Sequence, residues 1–161
     1  MRVVHPLEPI FSKRSRVLLL GTMPSPKSRE ARFYYAHPQN RFWRVLAALF
    51  AAPVPATNVE RKKFILLHDL ALWDVLHSCE IEGASDASIK NPVANDLSVI
   101  LDQAPIRAVF CTGTRSAALY KRLLQPQTGR PAVALPSTSP ANCAVSFAQL
   151  CDAYSQLLDY L

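Results

Sequence analysis

The tightest constraint on the fold is a short apolar run, Val17-Leu18-Leu19-Leu20, that stops at Gly21 and enters a loop holding Pro24 and Pro26. A run without polar alternation is buried on both faces, as a central strand of a parallel sheet is, and glycine and proline end such a strand abruptly. Ligands of open parallel sheets bind beyond the carboxyl ends of the strands, so Gly21 to Ser28 are expected to border a cleft. Tyr34, Tyr35, His37, Gln39 and Asn40 follow closely and concentrate polar and aromatic chemistry beside that loop.

Phe42, Trp43, Leu46, Leu49 and Phe50 recur on one helical face, with Arg41 and Arg44 pointing elsewhere. This predicts a helix from Asn40 to Phe50, starting near His37 with Pro38 in its first turn and Asn40 near the positive end of the dipole. The strand, loop and helix order recurs at Ala108-Val109-Phe110-Cys111, with Thr112-Gly113-Thr114 leading into a helix bearing Ala117, Leu119 and Leu123. Ala132-Val133-Ala134-Leu135 is a further strand, running into Pro136-Ser137-Thr138-Ser139-Pro140-Ala141-Asn142.

A short strand is expected at Leu70 to Trp73, with helices at Glu60 to Leu67, after a capping Asn95, and at Ser146 to Tyr160. Residues 1–15 are expected to wrap the surface, and the stretch from Gly83 to Pro92 to form a long loop, a kind that is usually functional. Alternating strands and helices predict a three-layer α/β/α sandwich around a mainly parallel sheet of about four strands. With 161 residues and half the composition apolar, one domain spanning 1–161 is expected.

The formal charge of +6 favours a polyanionic partner such as nucleic acid. Cys79, Cys111, Cys143 and Cys151 form no CxxC pair and have no histidine cluster beside them, so neither a metal site nor another cofactor is expected. No run is long enough for a signal peptide or a membrane span, which leads to the expectation of a cytoplasmic monomer.

Three ordered segments, GTMPS after a strand, YYAHPQNRFW and LPSTSPAN, resemble the uracil-DNA glycosylase superfamily. Its hypoxanthine-DNA glycosylase branch, the DNA-deoxyinosine glycosylases, is also matched by SDASIKNPVANDL, and the likeness runs from about Val17 to Asn142. Mismatch-specific relatives carry a water-positioning Asn where this chain has Met23, and in the hypoxanthine branch that role passes to the Asn of HPQN, here Asn40. Leu135 stands where uracil-specific relatives carry a His or Asn.

The resemblance implies a monofunctional glycosylase that hydrolyses the N-glycosidic bond of a flipped, deaminated base in DNA, hypoxanthine first, and so initiates base excision repair. It implies Asn40 as the catalytic residue and Tyr35 as the stacking platform. Gly21, Thr22, Met23, Pro24 and Ser25, through backbone groups, together with Asn91, are expected around the base. Ser137, Thr138, Ser139 and Pro140 are expected at the DNA, with Lys27, Ser28, Arg41 and Lys90 as further contacts. His37 is a weaker candidate for a general base, and Asp69, Asp74 and Asp86 are ionisable groups expected in hydrogen-bonding roles. The competing readings are a glycosylase preferring uracil opposite guanine, a catalytically silent DNA-binding module, and a flavodoxin-like nucleotide binder, the last lacking a glycine-rich phosphate cradle.

Overall fold

A computed structural model describes residues 1–161. The apolar run forms β2 (Val17–Gly21), preceded by β1 (Arg2–Val4) and followed by helices α1 (Pro26–Ala31), α2 (Phe42–Leu49) and α3 (Asn58–Leu67). Next come β3 (Leu70–Asp74), β4 (Leu76–Glu80), β5 (Lys90–Ala94), α4 (Ser98–Leu101) and β6 (Ala108–Thr112). Helices α5 (Thr114–Leu119) and α6 (Gln125–Thr128) are joined by a wider π turn at Tyr120–Leu124, and β7 (Val133–Leu135) and α7 (Phe147–Tyr154) complete the chain with a terminal 3-10 turn at Ser155–Tyr160.

The main sheet has four strands in the order β3-β2-β6-β7, every neighbouring pair parallel. All residues of β2 and β3 are buried, so helices and connections cover both faces, as the layered α/β expectation requires. The apolar stripe of α2 buries Phe42, Trp43, Val45 and Leu46, which join β2, β3 and β6 in one continuous core. The parallel register aligns the carboxyl ends of β2, β3 and β6 at Gly21, Asp74 and Thr112.

A second sheet is absent from the sequence expectations. β1, β4 and β5 form a three-stranded antiparallel sheet in the order β1-β4-β5. Residues 1–15 therefore supply a strand as well as surface wrapping, and the expected loop ends in β5, which holds Lys90, Asn91 and Pro92. These strands are short and only partly buried, so neither apolar runs nor clean alternation announced them.

Asn95 is not the cap predicted for the helix that follows. Its buried amide donates to the Asp74 and Leu76 carbonyls at 2.9 and 3.1 Å, pinning the chain where it leaves the main sheet for the small one. Asp96 Oδ1 instead accepts from the Ser98 amide at the start of α4. The start of α2 also moves, since Asn40 precedes the helix and its Oδ1 accepts from the Phe42 amide at 2.9 Å, while Pro38 sits in the turn before it. The final helix is shorter than predicted, with Ser146 and Gln149 forming a reciprocal capping box before α7.

Candidate active site

The aligned strand ends open into a cleft of about 330 Å³, within the range of single-ligand sites. Gly21, Thr22, Met23, Pro24, Ser25 and Ser28 form one wall, and Ser137, Thr138, Ser139 and Pro140 another. Tyr35, His37 and Asn40 lie between them, and Asp74 and Thr112 line it from the ends of β3 and β6.

Tyr35 is held from two directions. Its ring stacks on Phe42 with centroids 3.7 Å apart and planes 12° from parallel, so one face is covered and only the other is left for a ligand. Thr112 Oγ1 has the Leu20 carbonyl as an acceptor at 3.4 Å, which leaves the Tyr35 hydroxyl to donate to Thr112 Oγ1 at 2.8 Å. The backbone of Tyr35 is left-handed, with φ of +51°, an unfavourable conformation for an aromatic residue that the packing maintains. Burial, and then the nearby Asp74 charge, pushes the Tyr35 phenol well above its ordinary range, keeping it protonated and able to donate.

The sequence marks Asp74 only as one of several ionisable groups. It is 4% exposed, and its Oδ2 lies 2.7 Å from His5 Nε2. His5 Nδ1 accepts from the Leu7 amide at 3.2 Å, so the histidine proton is on Nε2 and this contact is a neutral imidazole donating to a carboxylate. Asp74 Oδ1 has no protein donor, and an atom added at Gly21 as a Cβ would come within 2.5 Å of it. Gly21 is thus what leaves that oxygen room beside the cleft. Nothing in the local pattern around His5 points to Asp74, because the two meet through the pairing of β1 with β4 and the bridge from Ile10 to Leu72 of β3, which join segments far apart in the chain.

Asp86 also lines the cleft, next to Gly83 and Ala84 of the long connection. The residue is exposed overall, but its carboxyl end turns inward to accept from Thr22 Oγ1 at 3.4 Å. Desolvation raises its pKa above the ordinary carboxylate value, against the lowering effect of that hydrogen bond. His37 Nδ1 accepts from the Gln39 amide at 3.1 Å, which places the proton of the neutral ring on Nε2 and removes Nδ1 as a free base.

The Ser-Pro loop is folded before any ligand arrives. Ser137 Oγ accepts from the Ser139 amide at 3.1 Å, Ser139 Oγ accepts from the Ala141 amide at 3.2 Å, and Asn142 donates to the Ser137 carbonyl at 2.9 Å. Both serine hydroxyls keep a proton to donate toward the cleft. Thr138 differs: it is 1% exposed, and its hydroxyl is 2.8 Å from Asn40 Oδ1, a position unsuited to gripping phosphate.

Four other contacts expected at DNA are not presented to the cleft in that way. Arg41 donates to the Val145, Asn142 and Ser139 carbonyls at 2.6, 2.9 and 3.4 Å and so ties the Ser-Pro loop to the start of α2. Ser28 is 3% exposed, and its hydroxyl accepts from the Ala36 amide and from Ser25. Lys27 and Lys90 are exposed but do not line the cleft. Asn91, expected at the base, is in β5 outside the cleft, where its amide meets Glu80 and its carbonyl accepts from Arg2.

A carboxylate at a strand end, with an aromatic ring and a carboxamide from the segment between α1 and α2, faces one hollow at the carboxyl edge of the parallel sheet, which defines an α/β protein with a polar and aromatic cleft. The family model for the uracil DNA glycosylase superfamily matches residues 8–161, and the chain belongs to that superfamily. Among its relatives, a hypoxanthine DNA glycosylase of Methanosarcina acetivorans is 31% identical over 83% of this chain and 84% of its own length. One of the same description from Methanosarcina barkeri is 31% identical over 83% of this chain and 85% of the relative. The fold is shared with the solution NMR structure of a Methanosarcina acetivorans protein described as a candidate uracil DNA glycosylase, with a TM-score of 0.80 at 24% identity over 98% of this chain and 99% of that one.

Proposed function

We propose that this protein removes deaminated bases from DNA by hydrolysing the N-glycosidic bond, with hypoxanthine the preferred base. The single observation that carries the reading is the Asp74 carboxylate, buried at the edge of the cleft with Oδ2 held by His5 and Oδ1 without a protein donor. Deamination of adenine or cytosine converts an acceptor ring nitrogen into an N–H donor. A carboxylate oxygen accepts from that new N–H and repels the lone pair of the undamaged base, so it reads deamination itself.

The remaining groups fit the same reaction. The open face of Tyr35 stacks the flipped base, a contribution of roughly 1–3 kcal/mol. Water held by Asn40 attacks the sugar carbon as the bond to the base breaks, and cleavage relies on positioning because positive charge builds on the sugar. The Ser137 and Ser139 hydroxyls donate to phosphates beside the flipped nucleotide, and Pro140, exposed at the rim, meets the vacated stack. The chain acts as one unit over 1–161, a reading supported by its continuous core, and works as a cytoplasmic monomer; no helix is long and apolar enough to cross a membrane.

The test is incubation with duplexes containing a single hypoxanthine, uracil or xanthine, followed by alkaline scission at abasic sites. Fastest scission at hypoxanthine is expected. No scission with any duplex removes the enzyme reading and leaves a silent DNA-binding module, whereas uracil-only scission overturns the base preference alone.

A further inference from the structure

The hydrogen bonds around Asn40 determine which end of its carboxamide is available. The Phe42 amide can only donate, so the carboxamide atom 2.9 Å from it is the oxygen. Thr138 Oγ1, 2.8 Å from the same oxygen, must then donate its proton there. A carboxamide oxygen has two lone pairs, and both are now taken. What Asn40 has left is Nδ2, whose two N–H groups have no protein acceptor, on a side chain that lines the cleft.

We propose that Thr138 is a positioning residue that fixes Asn40 with its N–H group toward the reacting water, so that Asn40 acts as a hydrogen-bond donor and not as the acceptor of the water proton. This rests on the glycosylase reading above. Nδ2–H donates to one lone pair of the water, leaving the other directed at the sugar carbon. The water oxygen forms its bond to C1′ while the bond from C1′ to the base nitrogen breaks and its electron pair leaves with the base. The water proton passes to bulk solvent, and the departed base is protonated from solvent. No strong base is needed, because the sugar is already cationic in character when water arrives.

The depth of Thr138 separates this role from a phosphate contact. At 1% exposure its hydroxyl is spent inside the protein, and its carbonyl accepts from the Arg41 amide at 3.1 Å, so the loop residue and the start of α2 are bound through backbone and side chain together.

The experiment is single-turnover cleavage of a hypoxanthine duplex by the full-length protein and three variants, with thermal unfolding and DNA affinity measured alongside. Thr138→Val is expected to lower the cleavage rate roughly tenfold or more with DNA affinity and its salt dependence unchanged, and Thr138→Ser to restore most of it. Asn40→Asp keeps the oxygen that accepts from Phe42 and Thr138 and replaces the N–H donor with a carboxylate oxygen that, when ionised, is charged and can only accept. It is expected to remain folded, to lose roughly 100-fold or more near neutral pH, and to regain rate as acid protonates the carboxylate. Full-rate cleavage by Thr138→Val, a loss confined to DNA affinity in that variant, or full-rate cleavage by Asn40→Asp at neutral pH would each overturn the inference alone. Absence of cleavage by the unaltered protein overturns the glycosylase reading and this inference with it.

Discussion

Gly21 carries a demand that no larger residue meets. A Cβ there would come within 2.5 Å of Asp74 Oδ1 and 3.2 Å of the Tyr35 hydroxyl. Gly21→Ala is therefore expected to destabilise the fold by about 1–3 kcal/mol through overpacking and to slow base excision more than it weakens DNA binding, as checked by denaturant unfolding and single-turnover kinetics. An unchanged excision rate would show that Asp74 does not meet the base. The cysteines allow a second residue-scale test. Burial pushes the Cys111 thiol up to about 12, leaving almost no thiolate at neutral pH, whereas Cys143 is exposed on the Ser-Pro loop. Mass spectrometry after brief alkylation is expected to find Cys143 modified and Cys111 intact.

Among the elements, the junction of α2 with the Ser-Pro loop matters most for the site. Arg41 donates to the Ser139 and Asn142 carbonyls of the loop and to that of Val145 just after it, the Arg41 amide meets the Thr138 carbonyl, and Thr138 meets Asn40. Arg41→Ala is expected to cost about 2 kcal/mol, because carbonyls that shared a charged donor lose it, and to slow cleavage by loosening Thr138. The salt slope of DNA binding is expected to stay the same, where loss of a true phosphate contact would reduce it by about 1. Arg41 shows why its role was hidden in sequence: a basic residue at a DNA cleft and a basic residue holding a loop are chemically identical until their acceptors are known. Asn95 repeats the lesson, since the residue type of a helix cap here joins two sheets.

For the whole molecule, a formal charge of +6 spread over a small domain predicts electrostatic binding to DNA. Affinity for a hypoxanthine duplex, followed by fluorescence anisotropy, is expected to fall at least about tenfold between roughly 50 and 200 mM salt. Flat salt dependence would mean that the basic surface does not meet phosphate. The cleft itself is not simply basic. Asp74 and Asp86 both line it, so carboxyl groups face the hollow in a chain whose formal charge is +6.

The sequence by itself determined the main sheet, because Val17 to Leu20 and Ala108 to Cys111 have the apolar continuity of central parallel strands, and Ala132 to Leu135 continues the pattern as an edge strand that buries only Leu135. It also determined the loops that border the cleft, since glycine, proline and serine end those strands wherever they occur. Only the tertiary structure decided what the polar groups do. His5 reaches Asp74, Thr138 reaches Asn40 and Arg41 reaches Val145 across separations of 69, 98 and 104 residues. Local patterns record backbone conformation and burial, which short-range sterics and hydrophobicity control; the partner of a hydrogen bond is set by where distant segments meet.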